Sequence, residues 1–102
     1  MNEIIKSMIN QIGVGKMSAM VGAKNWNYSN DQLYVSFRFK MCKKANYFKI
    51  EYNEGMDTYT IYFKKIGNAP NYKINFVECF EDVYVDQIHS IFEKVTGLYT
   101  SL

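Results

Sequence analysis

The residue types that most often carry catalysis are scarce in this sequence. His89 is the only histidine, and Cys42 and Cys79 are the only cysteines. A catalytic histidine needs an orienting partner and a nucleophile within reach. Asp86 lies one helical turn before His89, but Ser90 falls on another side of the same helix. Two isolated thiols make neither a disulfide framework nor a zinc site. We therefore predict a protein that is not an enzyme and that holds no cofactor or metal ion.

A glycine-rich segment, residues 13–16, partly resembles a phosphate-binding loop. The complete motif needs a glycine five positions before its Gly-Lys pair and a serine or threonine directly after it. Asn10 and Met17 occupy those two positions. We therefore interpret the glycines as breaks between secondary-structure elements.

Tyrosines and cations that alternate along four predicted strands are the one group with functional content. The group consists of Tyr34, Arg38, Lys40, Tyr47, Lys49, Tyr62, Lys64 and Lys73. Glu51 is the only acid on the same predicted face, and Lys43, Lys44 and Lys65 adjoin it. Such a face suits single-stranded nucleic acid, because cations follow the phosphates and aromatic rings stack on the bases. It equally suits a protein-binding patch, or a solvated sheet face whose tyrosines pack across strands. The residues leave these three interpretations open.

Composition limits the partners that such a face can have. The chain has 102 residues, which suits a single domain over residues 1–102. Aromatic residues make up 17% of it, a content that favours strands and binding surfaces. The formal net charge is only +2, so electrostatic binding requires that the cations gather on one face.

Apolar periodicity predicts a helix near each end of the chain. The first runs over residues 3–12, and the second runs from about Val83 to Thr96. The predicted caps are Asn2 and Gly13 for the first helix and Asp82 and Gly97 for the second. The predicted inward stripe of the second helix consists of Val85, Ile88, Phe92 and Val95.

Alternation of apolar and polar residues predicts strands between the helices. The four clear strands are 33–40, 47–52, 58–65 and 72–76. In the last strand, Tyr72, Ile74 and Phe76 are expected to face the core. A fifth strand is expected at 16–21, with Met17, Ala19 and Val21 on one side, and the asparagine-rich segment 25–32 is expected to form a turn.

These elements define one fold class. The links between the clear strands are short, which favours antiparallel neighbours and a meander of four or five strands. Two helices with one apolar stripe each should cover the single apolar face of the sheet. We therefore predict an α+β domain with an N-terminal helix, an antiparallel sheet, a C-terminal helix and both helices on the same face.

Four segments together resemble a group of short proteins encoded by bacteriophages and other bacterial mobile elements. The segments are Gly15–Asn25, Ala45–Ile50, Gly55–Tyr59 and Val85–Tyr99. No activity is established for that group, so the resemblance transfers no site residue. It implies a small accessory protein in the cytoplasm of a bacterial host, which either handles nucleic acid or inhibits a host protein. No segment predicts a signal peptide or a membrane span, and an exposed edge strand is compatible with a homodimer.

Overall fold

A computed structural model describes residues 2–40, 42–67 and 73–98. The helices are α1 (Glu3–Ile12), α2 (Val14–Val21) and α3 (Ile88–Thr96), and a short 3₁₀ helix (Val85–Gln87) precedes α3. The strands are β1 (Lys24–Ser29), β2 (Tyr34–Arg38), β3 (Tyr47–Asn53), β4 (Thr58–Ile66) and β5 (Ile74–Val83). The strands form one antiparallel sheet in sequential order. The predicted α+β meander with terminal helices is confirmed.

The helices cover one face of this sheet, as predicted. The fully buried side chains of the helices are Ile5, Met8, Ile12, Met17, Val21, Ile88 and Phe92, and those of the central strands are Phe37, Phe48, Ile50, Ile61 and Phe63. Phe92 of α3 lies over the middle of the sheet, with its ring centroid 5.5 Å from that of Phe48. Burial of this apolar face is the main force that holds the helical layer on the sheet. Within the described ranges, no helix is long and apolar enough to cross a membrane.

The predicted ends of α1 are confirmed. The Asn2 side chain accepts a hydrogen bond of 2.8 Å from the Ile5 amide, which satisfies one free N–H of the first turn. At the other end Gly13 has a φ of +77°, a left-handed conformation that glycine adopts without steric cost. The helix therefore begins and ends where its capping residues require.

Residues 16–21 form the end of helix α2, so the strand predicted there is wrong. Met17 and Val21, four residues apart, are both fully buried, whereas Ala19 between them is exposed. This spacing matches a helix and not the alternation of a strand. The small residues of the segment suit either structure, and packing on the sheet decides in favour of the helix.

The turn predicted at 25–32 is also wrong for most of its length, because β1 occupies Lys24–Ser29. A bulge lies between Lys24 and Asn27, where Asn25 takes a φ of +56°. Trp26 packs its ring 4.4 Å from that of Phe37. Pairing with β2 and burial of the tryptophan outweigh the turn preference of the asparagines, and the turn is confined to residues 30–33.

The C-terminal part of the sheet differs most from prediction. β5 is ten residues long and ends at Val83, so Asp82 lies within it at a φ of +54° and is not a helix cap. The helical region begins instead after Tyr84, whose amide donates to the side-chain oxygen of Gln87 at 2.9 Å. Val85, predicted to face inward, is 46% exposed. β1 and β5 form the two edges of the sheet, and the homodimer expected from an exposed edge stays a prediction.

Candidate nucleic-acid interface

The side of the sheet opposite the helices carries most of the predicted site residues, and we call it the open face. Cross-strand pairing arranges it in three rows from β2 through β3 to β4. The rows are Tyr34–Glu51–Thr60, Ser36–Lys49–Tyr62 and Arg38–Tyr47–Lys64. Six of the eight predicted residues therefore share one surface, because directly paired residues point to the same side of a sheet.

Lys49 lies at the centre of the open face and is held by its neighbours. Its Nζ atom is 4.4 Å from the ring centroid of Tyr34 and 5.8 Å from that of Tyr62. The same atom is 3.1 Å from Oε1 of Glu51. Each cation–π contact at a partly exposed site is worth about 0.5–1 kcal/mol. Lys49 therefore stabilises the face, and Glu51 balances its charge.

Arg38 and Lys64 lie at the two ends of the third row and, unlike Lys49, form no ion pair with an acid among the described residues. Lys64 places its Nζ atom 5.7 Å from the ring centroid of Tyr47. These two cations keep their charge available to a ligand, and the Tyr47 ring lies between them.

Tyrosine rings and lysine chains cover the smaller residues of the open face. Ser36 is 2% exposed and Thr60 is 8% exposed, although both belong to the side that has no helices. Lysine can cover such positions because its long stem lies along the surface while the ammonium group stays in water. Burial is the largest of the effects that raise the pKa of Tyr62. Tyr34, Tyr47 and Tyr62 are all half-buried.

β5 extends the open face with apolar residues that sequence reasoning assigned to the core. A register shift between Phe63 and Lys64 pairs Phe76 with Lys64, which places Phe76 on the open face. Ile74 follows by alternation, and the two side chains are 62% (Ile74) and 61% (Phe76) exposed. The predicted inward orientation of Ile74 and Phe76 is wrong because one extra residue in a strand reverses every side chain beyond it. Tyr72 lies outside the described residues.

Two of the eight predicted residues do not belong to the open face. Lys73 precedes β5, and its carbonyl accepts from the Gly67 amide at 2.8 Å. This hydrogen bond continues the pairing of β4 with β5. Because successive residues of a strand point to opposite faces, the exposed Lys73 faces the side opposite Ile74. Lys40 lies beyond the end of β2, where its stem approaches Gly22, the residue that ends α2. Of the adjoining lysines, Lys44 lies 3.8 Å from Glu78 in an exposed ion pair.

His89 and Cys79, two of the groups considered for catalysis, lie on opposite sides of the sheet. The Nε2 atom of His89 lies 2.9 Å from the carbonyl oxygen of Gln11, so this histidine links α3 to α1. Cys79 pairs with Tyr62 at the edge of the face, and partial burial raises the pKa of its thiol, which disfavours the nucleophilic thiolate. Among residues 2–40, 42–67 and 73–98, no group of three or more His, Cys, Asp or Glu side chains is placed to hold a metal ion.

Comparison with protein-family models, curated proteins and solved structures gave no match. The resemblance to phage and mobile-element proteins therefore stays a hypothesis based on the four segments given above. Inferences about function rest on the open face itself.

Proposed function

We propose that this protein binds single-stranded nucleic acid through the open face of its sheet, without catalysing a reaction. The observation that carries the proposal is the row Arg38–Tyr47–Lys64, in which one tyrosine lies between two cations on three adjacent strands. Base stacking on an aromatic side chain tolerates any base, and nearby cations bind the phosphates that flank it. This combination favours a single strand, because the bases of a duplex are already stacked.

The distribution of charge on the face supports the same proposal. Lys49 and Glu51 form a pair of opposite charges, so Arg38 and Lys64 account for the remaining positive charge of the three rows. The interpretation of a merely solvated face explains Lys49, whose contacts stabilise the sheet. It gives no role to Arg38, which has no acidic partner among the described residues.

We further propose that the protein acts in the bacterial cytoplasm as an accessory protein of a phage or mobile element. The support for this setting is the resemblance of the four sequence segments. A protein that binds single strands without sequence preference would suit an element that exposes such strands during replication.

A titration of a fluorescently labelled oligothymidylate, followed by fluorescence anisotropy, tests the binding proposal. We expect Tyr47→Ala to weaken binding by about 1–3 kcal/mol, the usual contribution of one stacked base. Tyr28→Ala is the matched control, because Tyr28 is 46% exposed but pairs with Val35 and so faces the other side of the sheet. Absence of binding even at low salt, or equal losses in both variants, would overturn the proposal.

A second candidate function is binding of a host protein, which the exposure of Ile74 and Phe76 favours. Exposed apolar residues beside tyrosines and arginine are typical of protein interfaces. Replacing Ile74 and Phe76 with serine should then abolish recovery of a partner from bacterial lysate, while nucleic-acid binding persists. If the same replacement leaves the recovered proteins unchanged, this second candidate fails.

A further inference from the structure

A cleft separate from the open face lies between α1 and the hairpin that joins β3 to β4. Its volume is ≈ 440 Å³, within the usual range for sites that bind small molecules. Ser7 and Gln11 line it from α1, and Tyr84 and Val85 line it from the segment before α3. Glu3, Tyr52, Asp57 and Tyr59 complete the polar and aromatic lining.

Three tyrosines give the cleft aromatic walls. The ring centroids of Tyr52 and Tyr59 are 5.4 Å apart, with their planes inclined at 54°. Tyr84 contributes a third ring and is 59% exposed, an unusual placement for an aromatic residue beside a concave surface. Tyr59 is only 8% exposed, so Tyr52 and Tyr84 supply most of the accessible aromatic surface of the cleft, and an aromatic π face attracts cations.

The hydrogen bonds within the cleft use the protons of two of its phenols. The Tyr52 hydroxyl donates to Oδ1 of Asp57 at 2.6 Å, and the Tyr59 hydroxyl donates to Oε1 of Gln11 at 3.2 Å. Both phenolic protons are thus already used. The bond to Asp57 is the main reason that the pKa of Tyr52 rises to about 12, so this phenol stays protonated even at moderately alkaline pH.

The charges at the cleft are negative. Two carboxylates, Glu3 and Asp57, belong to its lining, and the described lining contains no lysine, arginine or histidine. Lys6 approaches Glu3 at 3.6 Å, but the Glu3 side chain is 91% exposed in that pair, and such surface pairs contribute little. An anion would therefore meet two carboxylates and no cationic side chain of the described lining, whereas a cation would meet carboxylates and aromatic side chains.

We propose that this cleft binds an alkylated ammonium group, held by the rings of Tyr52 and Tyr84 and by the carboxylate of Asp57. Alkylation favours such a ligand over a bare ammonium ion, because the bare ion is strongly hydrated and loses more on leaving water. The group could belong to a free quaternary amine or to a methylated lysine side chain. The shared chemistry is the alkylated nitrogen cation.

The test is an NMR titration of the full chain with choline and, separately, with the neutral tert-butyl analogue of choline. The two probes have the same shape, so the comparison isolates the charge. We expect choline to shift the amide signals of residues around Tyr52, Tyr59 and Tyr84 with a millimolar dissociation constant, and the neutral analogue to bind at least about fivefold more weakly. A third titration, with a trimethyllysine peptide, distinguishes a free quaternary amine from a methylated lysine side chain. The one of these two ligands that binds more tightly is the natural ligand class.

Two variants test the assignment of residues. Tyr84→Ala should weaken choline binding about fivefold, which corresponds to one cation–π contact. Asp57→Asn should also weaken binding; it removes the charge but keeps an acceptor for Tyr52, and asparagine tolerates the φ of +53° found at this position. Tyr62→Ala on the open face is the control and should leave choline binding unchanged.

Three results would overturn the proposal. They are equal binding of choline and its neutral analogue, shifts that map outside the cleft, and the absence of saturable shifts in the millimolar range. Since the decisive comparison uses two probes on the unmodified protein, a variant that fails to fold does not weaken the test. The cleft lies apart from the open face, so failure of one proposal leaves the other standing.

Discussion

Replacing Arg38 and Lys64 together with glutamine should make nucleic-acid binding less dependent on salt. These are the cations of the three central rows that have no acidic partner in the described chain. Glutamine keeps a long polar side chain on each strand, so the sheet itself should be unaffected. The change tests charge alone, because Tyr47 between the two positions is kept.

The size of the effect follows from the number of phosphates contacted. On single strands, each neutralised phosphate contributes about −0.7 to the slope of log K against log salt. Two lost contacts should therefore make the slope shallower by about 1.4, whatever the adjoining Lys43, Lys44 and Lys65 contribute. Between about 50 and about 200 mM salt, the advantage of the unmodified protein over the variant should shrink about sevenfold.

The assay is fluorescence anisotropy with a labelled oligothymidylate at four or more salt concentrations. The control variant carries Lys16→Gln and Lys94→Gln, which lie exposed on the helical layer. It has the same formal net charge as the test variant, two units below the +2 of the unmodified chain. If the control variant flattens the slope as much as the test variant, binding reflects total charge and the reasoning about the open face is refuted.

Three further predictions concern the stability of the fold and the ionisation of Tyr52. Phe92→Ala should lower the free energy of unfolding by about 3–5 kcal/mol in a urea titration, because the ring is fully buried among other aromatic rings; a loss below about 1 kcal/mol would contradict this packing. Gly15→Ala should raise the free energy of unfolding by about 0.5–1 kcal/mol, since the position of Gly15 in α2 leaves open space for a Cβ. Gly22→Ala should lower the free energy of unfolding by about 1–2 kcal/mol, because Gly22 has a φ of +67°. Thermal melts in which both variants shift in the same direction would be inconsistent with the structure of α2. In an alkaline absorbance titration, one phenol should ionise near pH 12 and Tyr52→Phe should abolish that late step. The folded-state pKa of Tyr52 lies above its ordinary value. The contribution of Tyr52 to stability is therefore complete below pH 10 and disappears as the pH rises toward 12. Asp57→Asn should move the late ionisation step to lower pH.

The elements with strong periodicity were predictable from the sequence. α1 has five apolar residues on one stripe and a capping residue at each end, and the structure places it at Glu3–Ile12. β3 and β4 alternate over most of their length and meet through a short hairpin, so their pairing follows from local rules. Local pattern sufficed wherever each residue's preference agreed with the packing around it.

The wrong predictions occur where packing decides between two locally acceptable structures. The sequence around Met17 consists of small and flexible residues that a helix and a strand both accept, and burial of Met17 and Val21 selects the helix. The asparagines near Trp26 favour a turn, yet the tryptophan gains more by packing on Phe37. Neither outcome is visible without knowing what lies opposite each segment.

The candidate site was predictable for the central strands and not for β5. Alternation alone brings Tyr34, Lys49 and Tyr62 to one side, because β2, β3 and β4 pair without interruption in that region. In β5 a single extra residue reverses the faces of Ile74 and Phe76. The alternation of 72–76 breaks at Val77, but Phe80, which packs on the core, falls in the same sequence phase as Ile74 and Phe76. The sequence alone therefore does not show the reversal, which depends on tertiary pairing.

The solvated-face and binding interpretations of the open face make different claims about stability. If the cations only keep the sheet soluble and bridge its tyrosines, replacing Lys64 should lower the free energy of unfolding by about 0.5–1 kcal/mol, because its contact with Tyr47 is lost. Replacing Arg38, which has no acidic partner in the described chain, should then change neither the free energy of unfolding nor nucleic-acid binding. If the face binds single strands, the loss of Arg38 leaves unfolding unchanged but weakens binding at low salt. Arg38→Gln thus separates the two interpretations, because Arg38 is the one cation of the three rows that has neither an ion pair nor a cation–π contact among the described residues.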